Sequence, residues 1–145
     1  MAETITIIAC GIFFLTGLIT GTWKYLAIRR SPDFRAPAYV SISHRTALMY
    51  SFACLVLLEL ARRSALPETA EVVLVSLLIA FFAAAQGTYL AHGLLGDTDN
   101  QLARPHRLGS RTWPAPLITG FMITLIIAET GAFLILFLAA VATIL

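Results

Sequence analysis

The chain has 145 residues, 59% of them hydrophobic and 12% charged, and a formal net charge of +2. At a mean hydropathy of +0.85, so short a chain has more apolar surface than a water-soluble fold could hide. Nucleic-acid binding has only the small basic excess behind it, and that excess is better read as a topology signal.

Four apolar runs occupy roughly residues 5–28, 44–61, 71–95 and 115–145. A membrane-crossing helix needs about 20 mostly apolar residues, and backbone groups in lipid must bond internally, which favours helices. The first run lacks the basic leader of a cleaved signal, since Met1, Ala2, Glu3 and Thr4 precede it. Within it, Gly17 and Gly21 form a G-x-x-x-G, which permits close helix approach. A polar loop with Pro32 and Pro37 follows, and Ser43 is placed to cap the second helix. Residues 62–70 make a short turn, and residues 96–113 a longer polar loop. Pro114 and Pro116 suit the first turn of the fourth helix. Cys10 and Cys54 fall inside apolar runs without metal-type spacing and read as packing residues. The sequence therefore predicts an all-α integral membrane protein, a single antiparallel four-helix bundle with short connections.

Lys24, Arg29, Arg30, Arg35, Arg45, Arg104, Arg107 and Arg111 fall on one side of that bundle, and only Arg62 and Arg63 on the other. The basic side is the cytoplasmic one by the positive-inside rule, which puts both termini outside and predicts a bacterial inner-membrane location. Trp23, Tyr25, Tyr39 and Trp113 lie near the same boundary, as interfacial aromatics do.

Alternation of the helices gathers His44, Arg45, His92, Asp97, Asp99, Asn100, Gln101 and His106 at that cytoplasmic face, all three histidines included. Imidazoles there could ligate a metal, with His44 and His92 the candidate ligands, or shuttle protons. Plainer roles compete. His106, between Pro105 and Arg107, reads as solvated loop; His44 and Arg45 as interfacial anchors; His92 as a helix-end group; Asp97, Asp99 and Asn100 as turn formers. His44 and Ser51 share a helix face, and Gln86, Tyr89, Gly93 and Gly96 form a stripe with His92 at its edge. A glutamine and a tyrosine in an apolar span are costly without partners, so the stripe predicts a polar pocket or a subunit contact. Tyr89, His92 and Asn100 are the candidate catalytic groups.

Two acids lie deeper, roughly 20 Å from the cytoplasmic boundary at about 1.5 Å per residue. Glu59 has Arg62 and Arg63 three and four residues on to pair with. Glu129 has no local base and is expected to be protonated and hydrogen-bonded to a neighbouring helix.

The stretch Ser43-His44-Arg45-Thr46-Ala47-Leu48-Met49-Tyr50, opening a second span, resembles the styrene oxide isomerase and hydroxylaminobenzene mutase group of small four-span membrane isomerases. Residues 89–101 resemble that group's polar segment after the third span. The Asn-Gly pair that follows the histidine there is replaced here by Met49-Tyr50 or Tyr50-Ser51. The resemblance implies heme b on His44, a trimeric assembly and isomerisation of a small lipophilic substrate. Beside it stand two other classes: a non-catalytic membrane subunit or assembly factor docking lipids or a partner on its basic face, and a proton or ion pathway centred on Glu129. Nucleotide-binding, zinc-protease and serine-hydrolase motifs are absent.

Overall fold

The computed structural model describes residues 1–145 as four long helices. These are α1 (Ala2–Arg30), α2 (Ala38–Arg63), α3 (Glu68–Leu95) and α4 (Ala115–Val141), with a short hairpin of β1 (Arg107–Leu108) and β2 (Arg111–Thr112) before α4. All four helices are long and apolar enough to cross a membrane.

Each helix extends past or stops short of its apolar run for a local reason. Pro37, Pro67 and Pro114 stand at the N-caps of α2, α3 and α4. Proline has the fixed φ and the missing N–H that a helix start tolerates. Helix α2 thus begins well before Ser43, which sits inside it and caps nothing. Gly96 ends α3 in the left-handed region at φ 60°, its N–H donating to the His92 carbonyl at 2.9 Å, a conformation glycine adopts without steric cost.

Consecutive helices run antiparallel. Ala2 of α1 packs with Leu57 and Ala61 of α2, with Val75 and Leu78 of α3, and with Ala132 and Leu136 of α4 in one buried cluster. Ala9, Phe13 and Cys54 form a second. The rest of the helical surface stays apolar: Ile126 and Ile127 are 57% and 67% exposed, and Ile19 is 62% exposed. In water such faces would be unfavourable; against acyl chains they cost nothing.

The tightest seam lies between α1 and α2, where the glycine pair of α1 acts. A Cβ at Gly17 would fall 2.5 Å from Leu48 Cδ2, and one at Gly21 2.9 Å from His44 Cε1. Glu59 pairs with Arg63 at the opposite end of the bundle, while Arg62 turns away to Glu3 at 2.7 Å. All four side chains are about half exposed, and solvent screening leaves exposed pairs of this kind with little net stabilising effect.

Candidate functional site

At the end of the bundle carrying the two longer loops, the third loop folds back over α3. Its anchor is Asp97, the first residue after the Gly96 cap. Asp97 Oδ1 accepts a hydrogen bond from His92 Nδ1 at 2.8 Å, and Oδ2 accepts one from the Gly109 amide. The two side chains are 6% and 8% exposed. Burial raises the Asp97 carboxyl; the bonds from His92 and the Gly109 amide outweigh it and hold the group below its ordinary range.

Gly109, at φ 61°, forms the turn of the β1–β2 hairpin, whose register pairs Arg107 with Thr112 and Leu108 with Arg111. The Trp113 N–H closes the ribbon on the His106 carbonyl at 2.9 Å. The sequence predicts loop over this stretch, because strands of two residues carry no alternation to detect. The hairpin also buries His106, which is only 7% exposed. The solvated-loop expectation for His106 is therefore overturned: its Nδ1 donates to the Gln101 carbonyl at 3.2 Å. Tyr39, read as an interfacial aromatic, is likewise buried. Its ring lies 4.9 Å from that of His92 and 6.1 Å from that of Tyr89, and its hydroxyl accepts from the Gln101 amide.

Beneath the hairpin lies a cavity of about 440 Å³. Tyr89, His92, Gln101, His106 and Arg107 supply polar groups to its lining. Tyr50, Trp113, Leu117, Phe121 and Leu125 are among the residues that line the remainder. Because Nδ1 of His92 faces a carboxylate and Nδ1 of His106 a carbonyl, both rings carry their proton on Nδ1 in these bonds. In a neutral ring Nε2 then keeps its lone pair and can act as an acceptor or base. Sequence reasoning named Tyr89 and His92, and missed Tyr50, His106, Arg107 and Trp113 as lining. The Gly109-Ser110 pair, a two-residue hairpin turn, was the one local signal for the fold-back that brings the last three in.

Asn100 does not line this cavity. Its Oδ1 accepts from the Leu102 amide at 3.0 Å, and its own amide donates to Thr98 Oγ1; the side chain closes an exposed turn. His44 stands elsewhere, on the α1 seam. Its Nδ1–H donates to the Gly17 carbonyl at 2.8 Å, and it lines neither this cavity nor the one described below. His44 and His92 are thus committed to different neighbours, and no group of three or more His, Cys, Asp or Glu side chains converges as a metal-ligand set. Gln86, next along the α3 stripe, donates to Ser43 Oγ at 2.8 Å and to the Ser43 carbonyl at 3.2 Å, with its Oε1 buried and unpartnered.

Glu129 departs from its expectation. No hydrogen bond ties it to a neighbouring helix, and Oε1 is occluded without a partner. It lines a second hollow, of about 470 Å³, between α2 and α4.

No family model, curated protein or solved structure matches this chain.

Proposed function

We propose that the chain is an inner-membrane protein with its hairpin end in the cytoplasm, and that its cavity takes a small lipophilic molecule and isomerises it by proton transfer. One observation carries this reading: a histidine whose Nδ1–H is fixed by a buried carboxylate presents its lone pair in the lining of a mainly apolar cavity. In the proposed cycle, His92 Nε2 takes a proton from bound substrate. Asp97 stabilises the imidazolium, and Tyr89 or Arg107 stabilises charge developing on a substrate oxygen. Returning the proton to a different atom of the substrate completes an isomerisation that needs no cosubstrate.

Styrene oxide, whose benzylic C–O bond can break as a proton leaves the neighbouring carbon, with reprotonation at the benzylic carbon giving the aldehyde, is the probe to use, on purified protein in nanodiscs. Binding is read as quenching of Trp113 emission and turnover by chromatography. His92→Gln should keep the quenching and lower conversion by about 100-fold or more. Conversion that survives His92→Gln, or quenching unchanged by filling the cavity with Ala85→Trp, overturns the reading. A chain that does not bind styrene oxide and co-purifies with another membrane protein would instead be a non-catalytic subunit.

A second reading rests on His44. Its bond to the Gly17 carbonyl occupies Nδ1 and leaves Nε2 as the ring nitrogen that could coordinate iron. His44 would hold a heme b there, and the iron would supply Lewis-acid chemistry. The loop-end cavity takes no part in that holding. A Soret band lost in His44→Ala would support this reading; a colourless protein from heme-replete cells would sink it.

A further inference from the structure

Arg107 is the one arginine or lysine in the lining of the loop-end cavity, and no acidic side chain lines it. Nothing on the chain neutralises this guanidinium. The ion pairs join Met1 to Glu68, Arg62 to Glu3, Arg63 to Glu59 and His92 to Asp97. Asp97, which backs His92, has both oxygens engaged by His92 and the Gly109 amide. Gln101 and Tyr89 add an amide and a hydroxyl to the lining, and neither side chain makes a hydrogen bond within the protein. The charge of the lining is therefore positive and unbalanced.

The rest of the cavity has the opposite character. Leu117, Phe121 and Leu125 stand one turn apart on a single face of α4. They carry an apolar wall about 12 Å along the helix, from the hairpin into the bundle. Leu117 and Phe121 are 53% and 39% exposed, so in a bilayer this wall opens sideways toward acyl chains. The volume of about 440 Å³ falls within the ~300–1,000 Å³ of small-molecule sites. It has room for one short chain with a compact head, and not for a two-chain phospholipid.

We propose that the ligand of this cavity is a single-chain amphiphile with an anionic head, a free medium-chain carboxylic acid whose carboxylate sits on Arg107 and whose chain lies along Leu117, Phe121 and Leu125. The inference rests on the reading of this cavity as the ligand site and names the ligand's class; it does not need proton transfer by His92. A guanidinium offers a carboxylate two parallel N–H donors, a match that an alcohol of the same length lacks. Methylenes moved from water onto the α4 wall add affinity to acid and alcohol alike, so the head is what discriminates. With Arg107 on the head, Tyr89 remains the donor to charge developing elsewhere on the ligand.

Radiolabelled octanoate and octanol test this on the protein in zwitterionic nanodiscs, with empty nanodiscs as the blank. At pH 7 a carboxylic acid in water is ionised. Octanoate should then bind about tenfold more tightly than octanol, the scale of one hydrogen-bonded charge. Arg107→Gln should erase that difference by weakening octanoate alone. Arg104→Gln removes an equal charge outside the lining and should bind both ligands as the parent does. A photoreactive diazirine at the far end of the octanoate chain should mark the segment from Leu117 to Leu125, read by peptide mass spectrometry. His92→Gln should bind octanoate like the parent while losing styrene oxide conversion, so the ligand assignment and the proton-transfer reading fail separately. The ligand comparison and the crosslink need no variant, and they decide the matter if Arg107→Gln misfolds. Octanoate bound no better than octanol, an Arg104→Gln loss equal to that of Arg107→Gln, or crosslinks confined to other helices would each overturn the proposal. So would an anionic phospholipid retained by the purified parent and lost from Arg107→Gln, which would give the guanidinium to a lipid head group.

Discussion

Asp97 joins two parts of the chain that the sequence keeps apart: one carboxylate oxygen holds His92 on the last turn of α3, the other the Gly109 amide at the tip of the hairpin. Hairpin and histidine are therefore positioned by the same group. Because the Asp97 carboxyl sits below its ordinary range in the folded protein, the stability it contributes is complete above about pH 4, the range of an unperturbed aspartate. It is lost only as the pH falls through the lowered folded value. The hairpin should thus stay latched from pH 8 to pH 5 and loosen in stronger acid. Trp113 emission, with Trp113→Phe as the blank, reads this. Opening near neutral pH would show that another group governs the latch.

Asp97→Asn should release the hairpin at every pH. It removes the charge and puts an amide donor where one oxygen accepted, leaving the His92 or Gly109 N–H unsatisfied, at a cost of about 1–3 kcal/mol. Trypsin cleavage at Arg107 and Arg111 should accelerate in this variant while helix content by circular dichroism holds. Unchanged cleavage would mean that the β1–β2 pairing and the Trp113–His106 bond suffice to hold the hairpin.

Ser43 and Gln86 should respond asymmetrically to truncation. Ser43→Ala takes away the 2.8 Å partner of a buried amide and should cost about 1 kcal/mol. Gln86→Leu removes that amide together with the occluded Oε1, and the serine hydroxyl can turn to its own helix backbone. This variant should be neutral or slightly stabilising, and Ser43→Ala should add little to it. Thermal unfolding in detergent checks all three. A Gln86→Leu loss as large as that of Ser43→Ala would contradict the account.

The helices were legible because length and hydropathy are properties of single segments: the four runs fall on the four observed helices, although α2 starts at Ala38 and α3 at Glu68, before the starts at residues 44 and 71 read from the runs. The G-x-x-x-G of α1 was legible too, and it does mark the closest helix seam. Side-chain partners were not, since they depend on rotation about each helix axis. Ser43 read as a cap and is instead a partner of Gln86. Tyr39 read as a boundary aromatic and is instead packed on His92. The hairpin escaped notice because its anchors, Asp97 and Gly109, pair across twelve residues of loop. His106 passed from solvent to cavity wall for the same reason.

The orientation proposed for the bundle has its own check. Ser110 is exposed at the tip of the hairpin, so Ser110→Cys reports which side that tip faces. In a background with Cys10 and Cys54 replaced by alanine, it should be shielded from a membrane-impermeant thiol reagent in intact cells and react after lysis. Labelling in intact cells would reverse the orientation and put the cavity mouth outside.

Gly21 offers a test of how His44 is held. A methyl group there would fall 2.9 Å from Cε1 and 3.1 Å from Nδ1 of the His44 ring, so Gly21→Ala must push the imidazole off the Gly17 carbonyl. Losing that bond costs about 1 kcal/mol, and overpacking a tight seam about 1–3 kcal/mol more. Alanine also favours the helix over glycine by about 1 kcal/mol, which offsets part of the loss. The two effects separate in a double-mutant cycle. In a His44→Ala background the ring is gone, so Gly21→Ala should be neutral or stabilising by thermal unfolding, whereas in the parent it should destabilise. Equal effects in the two backgrounds would show that the ring does not feel Gly21, and that the α1–α2 seam is held by Gly17 and Leu48 alone.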